Sequence, residues 1–169
     1  MELKGFLEAT LNDLQGRLNT YLDGLTAEEL AWRPGPESHG IGFTLWHIYR
    51  VEDFWFQRFV QSQAELYESE GWREKLGTPP KDMGYQYTVE QIAGFQPPPL
   101  ETIQEYGKSV RQHTLEFLRQ LPAEKLDDKP RPDRSEQTIA DTFQRVILEL
   151  TLHIGQITYL RGVQRGLDK

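Results

Sequence analysis

The chain has 169 residues, with 19 lysine and arginine residues against 26 aspartate and glutamate residues, which gives a formal net charge of −7. An acidic chain without a basic run lacks the electrostatic character of a nucleic-acid-binding protein, so we expect no nucleic-acid partner. The sequence contains no cysteine. A disulfide framework, a thiolate metal site and a cysteine nucleophile are therefore excluded.

The length is typical of one domain with a proper hydrophobic core, and we expect a single domain over residues 1–169. The N-terminal stretch MELKGFLEAT lacks the apolar segment of a secretory signal. The most apolar stretch, residues 41–60, contains Arg50, Glu52 and Asp53, which is not typical of a membrane-spanning helix. We therefore expect a cytoplasmic protein that does not contact a membrane.

Apolar residues at steps of three and four predict long amphipathic helices. The first helix covers roughly residues 2–22 and ends before Gly24, and a capping box at Thr26 opens a short turn of helix. The second helix runs from about residue 40 to 63 and is apolar on most of its sides. Such a helix is central in the fold or lies at an oligomer interface.

The stretch between the second and third long helices, residues 64–99, is rich in glycine and proline. We expect short helical pieces around Trp72 and over residues 88–94, where Thr88 is a suitable cap. So long a connection in a compact domain is usually functional or separately packed. We expect it to cross the bundle or to cover the mouth of a pocket.

The third long helix is predicted from about residue 100 to 121, and the fourth from a cap at Thr138 to a stop at Gly162. Four long amphipathic helices with one long connection predict an all-α fold, a four-helix bundle. The long crossover connection lies between helices 2 and 3.

Three polar residues interrupt the apolar faces of the second and fourth helices. Glu149 and His153 are four residues apart, so they lie one turn apart on the face that also carries Val146 and Leu150. His47 lies in the middle of the apolar face of helix 2. We expect these faces to be buried, where a carboxylate or an imidazole is costly unless it is paired, hydrogen-bonded or bound to metal.

These three residues have the composition of a metal site in a bundle core, where side chains on facing helices meet. Two imidazoles and a carboxylate suit a three-ligand zinc site with an open position, and they suit Fe(II), Ni(II) or Mn(II) equally. The alternative is a buried ion pair between Glu149 and His153, with His47 hydrogen-bonded to either residue or to a carbonyl group. The residues alone leave both interpretations open.

Four other polar residues complete this interpretation. Gln156 and Arg50 are expected at the polar rim of the site. His39 lies in a Ser-His-Gly turn before helix 2 and is expected to be exposed to solvent. His113, at the edge of the apolar face of helix 3, is also expected at the surface.

Two segments of the chain resemble the DinB-like (YfiT-like) family. The sequence LTAEELAWRP at residues 25–34, followed by IGFTLWH at residues 41–47, is similar to the opening half of its members. The sequence LHIGQI at residues 152–157 is similar to their closing motif, where His-x-Gly-Gln-Ile is typical. In order and spacing the resemblance covers nearly the whole chain.

The resemblance implies a four-helix bundle in an up-down-down-up arrangement, often a homodimer, that binds a divalent metal between helices 2 and 4. Members usually present one histidine on helix 2 and a His-x-x-x-His pair on helix 4. His47 matches the first histidine and His153 the second of the pair, whereas Glu149 replaces the first of the pair. The carboxylate is a harder ligand, so the metal can be Zn, Ni, Fe or Mn.

Characterised relatives include thiol-dependent S-transferases and a mycothiol-dependent isomerase. The resemblance therefore implies a transferase in which the metal activates a low-molecular-weight thiol, supplied by a small-molecule cosubstrate because the chain has no cysteine. A small hydrolase that uses metal-activated water and a non-catalytic metal-binding bundle are the alternatives. The apolar sides of helix 2 also predict a homodimer through helices 1 and 2.

Overall fold

The computed structural model describes residues 2–166, and this range contains helices but no strand. The four long helices are α1 (Leu3–Leu22), α3 (Ile41–Asp53, continued by a π-helix at Phe54–Val60), α7 (Leu100–Gln120) and α8 (Ile139–Arg165). The short helices are α2 (Ala27–Ala31), α4 (Leu66–Ser69), α5 (Trp72–Leu76), α6 (Val89–Gly94) and a 3₁₀ turn at Ala123–Asp127. The predicted all-α bundle is confirmed.

Side-chain contacts near the helix ends define the directions of the four long helices. Arg119 at the end of α7 binds Glu8 near the start of α1 at 2.6 Å, so these two helices are antiparallel. Arg165 at the end of α8 donates to the Gly24 carbonyl just after α1 at 2.6 Å, so α1 and α8 are parallel. The end of the π-helix lies against Arg131, just before α8, so α3 runs opposite to α8. The arrangement is up-down-down-up, as the resemblance implies.

Three helices begin with the capping box that their sequences predict. In α8, Thr138 Oγ1 accepts from the main-chain N–H of Asp141, whose carboxylate accepts from the main-chain N–H of Thr138. The same reciprocal pattern opens α2 at Thr26 and α6 at Thr88. Each box satisfies N–H groups that the first turn of a helix leaves without an intrahelical acceptor.

The predicted stop of the last helix at Gly162 is wrong, because α8 continues to Arg165. The Gly162 carbonyl accepts from the main-chain N–H of Gly166 at 2.9 Å. The last turn is also anchored by the Arg165 guanidinium, which binds the Glu29 carboxylate of α2. These contacts outweigh the cost of a glycine inside a helix, which is about 1 kcal/mol relative to alanine.

The second long helix differs from its prediction over its last two turns. The α-helix ends at Asp53, and residues 54–60 form a π-helix in which the Gln61 N–H donates to the Phe56 carbonyl at 3.2 Å. The wider turn places Phe56 fully inside the core, where its ring packs on Phe143 at a centroid distance of 4.5 Å. The helix ends at Val60, three residues before its predicted end.

The apolar sides of α3 are covered by the chain itself. Its fully or almost fully buried residues include Leu45, Trp46, Ile48 and Tyr49. The crossover, residues 61–99, supplies part of this cover, because the Phe95 ring packs on Trp46 at a centroid distance of 5.2 Å. The surface that predicted a dimer through helix 2 is therefore buried within one chain.

A buried charged network fastens the crossover to α3. Arg50 is fully buried and donates to the Glu65 carboxylate at 2.6 Å, the Tyr106 hydroxyl at 2.9 Å and the Asp82 carbonyl at 2.9 Å. The Asp53 carboxylate accepts from two main-chain N–H groups at the start of α4, each at 2.9 Å. The expectation that Arg50 lies at the rim of a site is wrong, because all of its guanidinium nitrogens are used inside this network.

None of the helices over residues 2–166 is long and apolar enough to cross a membrane.

Candidate metal centre

The antiparallel packing of α3 on α8 brings His47, Glu149 and His153 together. One ligand atom from each of the three side chains lies within 4.8 Å of the others. The two imidazole rings meet edge to face at a centroid distance of 5.1 Å. The structure thus places His47 beside two residues that lie more than one hundred positions further along the sequence.

Both imidazoles are oriented by hydrogen bonds through their Nδ1 atoms. The Nδ1 of His47 bonds to the main-chain carbonyl of Met83 in the crossover. A carbonyl oxygen only accepts, so His47 carries its proton on Nδ1 and its lone pair on Nε2. The Nδ1 of His153 lies 2.8 Å from Oε1 of Gln156, which fixes its ring in the same way. Gln156 therefore borders the site, as predicted. In both His47 and His153 the Nε2 atom remains available to bind a ligand.

Glu149 and His153 approach each other within this group. The Oε2 of Glu149 lies 3.2 Å from the Nε2 of His153. When His153 carries its proton on Nδ1, two lone pairs face each other, and they repel unless a cation lies between them. A doubly protonated His153 would instead give the ion pair that the sequence also allowed. The donor set, two imidazole nitrogens and one carboxylate oxygen, fits a divalent transition metal.

The expectation that Glu149 and His153 are buried in the apolar face of helix 4 is wrong. Their side chains are 37% and 17% exposed, whereas Leu150 and Ile157 are almost completely buried. The helix directs these two apolar residues into the bundle, and the two polar residues lie to one side of them. The candidate ligands are therefore at the margin of the core, where solvent reaches them.

A pocket of about 750 Å³ opens beside the three candidate ligands. Its lining includes Pro34, His39, Glu149, His153, Gln156 and Tyr159. This volume is within the range of small-molecule sites. A small molecule in this pocket would contact two of the candidate ligands directly.

His39 is a fourth titratable group at this pocket, and the prediction that it is exposed is wrong. It is half-buried, and its Nδ1 lies 3.0 Å from the Thr44 hydroxyl. Burial lowers the pKa of His39, and the nearby His153 acts in the same direction. The Ser-His-Gly turn in the sequence gives no sign that the chain folds back over α8 at this point.

Burial also lowers the pKa of His47, and the hydrogen bond to the Met83 carbonyl opposes this only in part. The neutral imidazole, which is the metal-binding form, is therefore favoured.

His113 lies apart from this site. Its Nδ1 bonds to the Ser109 carbonyl at 2.9 Å and its ring is partly exposed, as predicted.

The family model of the DinB superfamily matches residues 10–157. The chain belongs to the DinB superfamily. The matched range contains the crossover and all three candidate ligands, His47, Glu149 and His153. The resemblance seen in the two sequence segments is thereby confirmed.

A solved structure shows the same fold as this DinB superfamily chain. It is the crystal structure of a conserved protein from Enterococcus faecalis, with a TM-score of 0.84 and 22% sequence identity. The match covers 96% of this chain and 97% of the other. At this identity the likeness concerns the fold alone. A comparison with curated proteins gave no match.

Proposed function

We propose that the protein is a metal-dependent transferase in which a divalent cation activates a low-molecular-weight thiol. The observation that carries this proposal is the group of three ligand atoms within 4.8 Å, which borders a pocket of about 750 Å³. Three protein ligands leave a coordination position for a substrate, which distinguishes a catalytic site from a closed structural one. The pocket lies on the side where that substrate would arrive.

The residues of the chain have separate tasks in this proposal. His47 and His153 would bind the cation through Nε2, while Met83 and Gln156 hold the rings in place. Glu149 would bind through a carboxylate oxygen, whose negative charge favours a divalent cation. The cation, when bound, supplies positive charge that stabilises a thiolate relative to its thiol.

The thiol must come from a second molecule, because the chain contains no cysteine. The pocket has room for it, and apolar atoms of Leu152, Tyr159 and Leu160 form part of the lining. An electrophile with an apolar body can pack on these residues while its reactive carbon faces the sulfur. The proposed reaction joins these two substrates by forming a carbon–sulfur bond and releasing a leaving group from the electrophile.

A thiol-transfer assay with the metal-loaded protein tests the proposal. The chromogenic electrophile 1-chloro-2,4-dinitrobenzene is mixed with glutathione, cysteine, coenzyme A or mycothiol, and thioether formation is followed by absorbance. We expect turnover with at least one thiol, which is lost in His153→Ala and kept in His113→Ala. A metal-loaded protein that is inactive with all four thiols would argue against a thiol transferase.

His39 favours a hydrolase as the second candidate function. It lines the same pocket as Glu149 and His153, and burial lowers its pKa, which favours the neutral imidazole. A neutral imidazole in this place can accept a proton from a hydrolytic water. We expect hydrolysis of chromogenic esters without any thiol in this case, and its loss in His39→Gln. A metal-loaded protein without either activity would favour the non-catalytic metal-binding bundle.

A further inference from the structure

A second cavity, of about 530 Å³, lies between α1 and α7. Its lining includes Asn19, Gln104, Lys108, Arg111, Leu115 and Arg119. It shares no lining residue with the pocket beside the candidate metal centre. The volume is typical of pockets that hold small molecules.

The charge of this cavity is opposite to that of the chain as a whole, which is −7. Three lining residues are cationic, and the described part of the chain contributes no aspartate or glutamate to the lining. Arg111 is paired with Glu52 at 2.7 Å, and Arg119 with Glu8 at 2.6 Å. Lys108 is exposed and forms no ion pair with any of residues 2–166. The cavity therefore carries one positive charge that the chain itself does not balance.

Two side-chain amides lie at the same end of the cavity as Lys108. Gln104 precedes Lys108 by four residues, so it is one turn away on the same face of α7. Asn19 comes from the antiparallel helix α1, where the Leu11 carbonyl accepts from Arg111 at 2.6 Å. Because Asn19 lies about two turns beyond Leu11, it is level with Gln104 across the cavity.

These three side chains offer hydrogen-bond donors that other residues do not use. The Oδ1 of Asn19 accepts from Gln15 at 2.9 Å, whereas its Nδ2 has no acceptor within residues 2–166. The amide nitrogen of Gln104 and the ammonium group of Lys108 also lack an acceptor in this range. One end of the cavity thus presents a cation and two amide donors to a ligand.

The middle of the cavity is apolar. Leu115 lines it and follows Lys108 by seven residues, which corresponds to about 10 Å along the axis of α7. Beyond Leu115, the Arg119 guanidinium is already bound to Glu8. A ligand with one anionic end and an apolar body of about this length matches the order of the lining from Lys108 to Leu115.

We propose that this cavity binds a small carboxylate whose apolar body is about the size of two fused rings. An ionised carboxylate only accepts hydrogen bonds, and it can do so from Lys108, Gln104 and Asn19 together. The body packs on Leu115. A neutral carboxamide of the same shape would turn an N–H group towards these donors and lacks the charge that Lys108 attracts. This site does not depend on the proposed transferase activity.

Titration with 2-naphthoate, followed by chemical-shift changes in two-dimensional NMR spectra, tests the proposal. We expect saturable binding to the intact chain, with shifts at residues that line the cavity. The matched neutral compound, 2-naphthamide, is expected to bind about tenfold more weakly, the effect of one lost charge-assisted hydrogen bond. Equal binding of the two compounds, or no saturable binding of 2-naphthoate, would overturn the proposal.

Two lysine variants and one histidine variant locate the binding site. Lys108→Gln is expected to weaken 2-naphthoate binding about tenfold. Lys81→Gln is the matched control that keeps the affinity, because Lys81 is also exposed but lies outside the lining. A carboxylate can also bind to a metal, so His153→Ala tests the other site, and we expect binding to persist there. Equal effects of the two lysine variants, or loss of binding in His153→Ala, would contradict a site between α1 and α7.

Discussion

The Nδ1 of His47 is hydrogen-bonded to the main-chain carbonyl of Met83, 36 residues further along the chain. The preceding carbonyl, that of Asp82, accepts from Arg50 Nε at 2.9 Å. One turn of α3 thus binds two consecutive carbonyl groups of the crossover. The ring of His47 is therefore oriented by the protein itself, before any metal binds.

Metal binding is the first prediction. We expect the reconstituted protein to contain about one divalent ion per chain, and His47→Ala and His153→Ala to lose it. Elemental analysis by mass spectrometry after dialysis measures the content. His113→Ala is the matched control, because its imidazole lies outside the three-residue group. No bound metal after reconstitution with Zn, Ni, Fe or Mn would contradict the assignment.

Glu149→His is the second prediction, because it restores the three-histidine set that is usual among DinB-like proteins. In the unmodified chain the Glu149 carboxylate lies 3.2 Å from His153 Nε2. An imidazole at position 149 can therefore take part in the same group of ligands. We expect the variant to bind metal at least as tightly as the original chain. Isothermal titration with zinc compares the two affinities. Markedly weaker binding would contradict this prediction, because it would mean that an imidazole at position 149 does not replace the carboxylate as a ligand.

Arg50→Ala is the third prediction and concerns the anchor of the crossover. The substitution leaves the Asp53 carboxylate buried without its cation, and the Glu65 carboxylate with Arg58 alone, at 3.7 Å. Breaking a buried ion pair in this way lowers the free energy of unfolding by about 3–5 kcal/mol. Urea unfolding followed by circular dichroism measures the loss. Arg17→Ala removes an exposed i, i+4 pair with Asp13 and is expected to leave the free energy of unfolding nearly unchanged. Similar losses in both variants would contradict the structural role of Arg50.

The fourth prediction concerns pH and the contact between α2 and the end of α8. Hydrogen bonds from Arg165 and from the Thr26 main chain lower the pKa of Glu29 from 4.5 to about 2. A carboxyl group whose pKa is lower in the folded state stabilises the fold at pH values above its unfolded pKa. This contribution is therefore complete above pH 4.5 and is lost as the pH falls towards about 2.

Carbon-detected NMR titration of the Glu29 carboxyl group checks this value. We expect Arg165→Ala to raise the pKa of Glu29, because the largest cause of the shift is removed. Gln164→Ala is a neighbouring control, since its amide donates to the Glu29 main-chain carbonyl and not to the carboxylate. An unchanged pKa in Arg165→Ala would show that the ion pair does not form in solution.

Homodimerisation is the fifth prediction, and the structure changes the surface at which to look for it. The apolar sides of α3 are covered within the chain, whereas α8 exposes Leu148 and Val163 outside the lining of the pocket. We expect a dimer that Leu148→Glu weakens, and that Val89→Glu on the crossover leaves intact. Sedimentation velocity at several concentrations distinguishes the two. A monomer at the highest concentration of the unmodified chain would contradict the prediction.

The four long helices and the capping boxes of α2, α6 and α8 could be predicted from the sequence because periodicity and capping are local. The spacing of Glu149 and His153 places both residues on one face, and in the structure both lie beside His47. The spacing does not reveal how far that face is rotated relative to α3. This rotation is why the two residues proved partly exposed.

Other features depend on contacts between distant segments and left no pattern in the sequence. The Met83 carbonyl is a main-chain group, so no side chain marks it as a partner of His47. The fold of the turn before α3 decides that His39 lines the pocket. The π-helix at Phe54–Val60 likewise follows an apolar, aromatic stretch whose spacing does not separate the two helix types.

The buried contacts of Arg50 and Asp53 limit how far the crossover can move away from α3. Residues 65–83 are tied to α3 through buried contacts, so opening this segment means exposing a charged network to water. Amide protons of α3 and of this segment should then exchange with solvent in one cooperative unit rather than separately. Small molecules would reach the three candidate ligands through the pocket beside α8, and this access does not require the crossover to open.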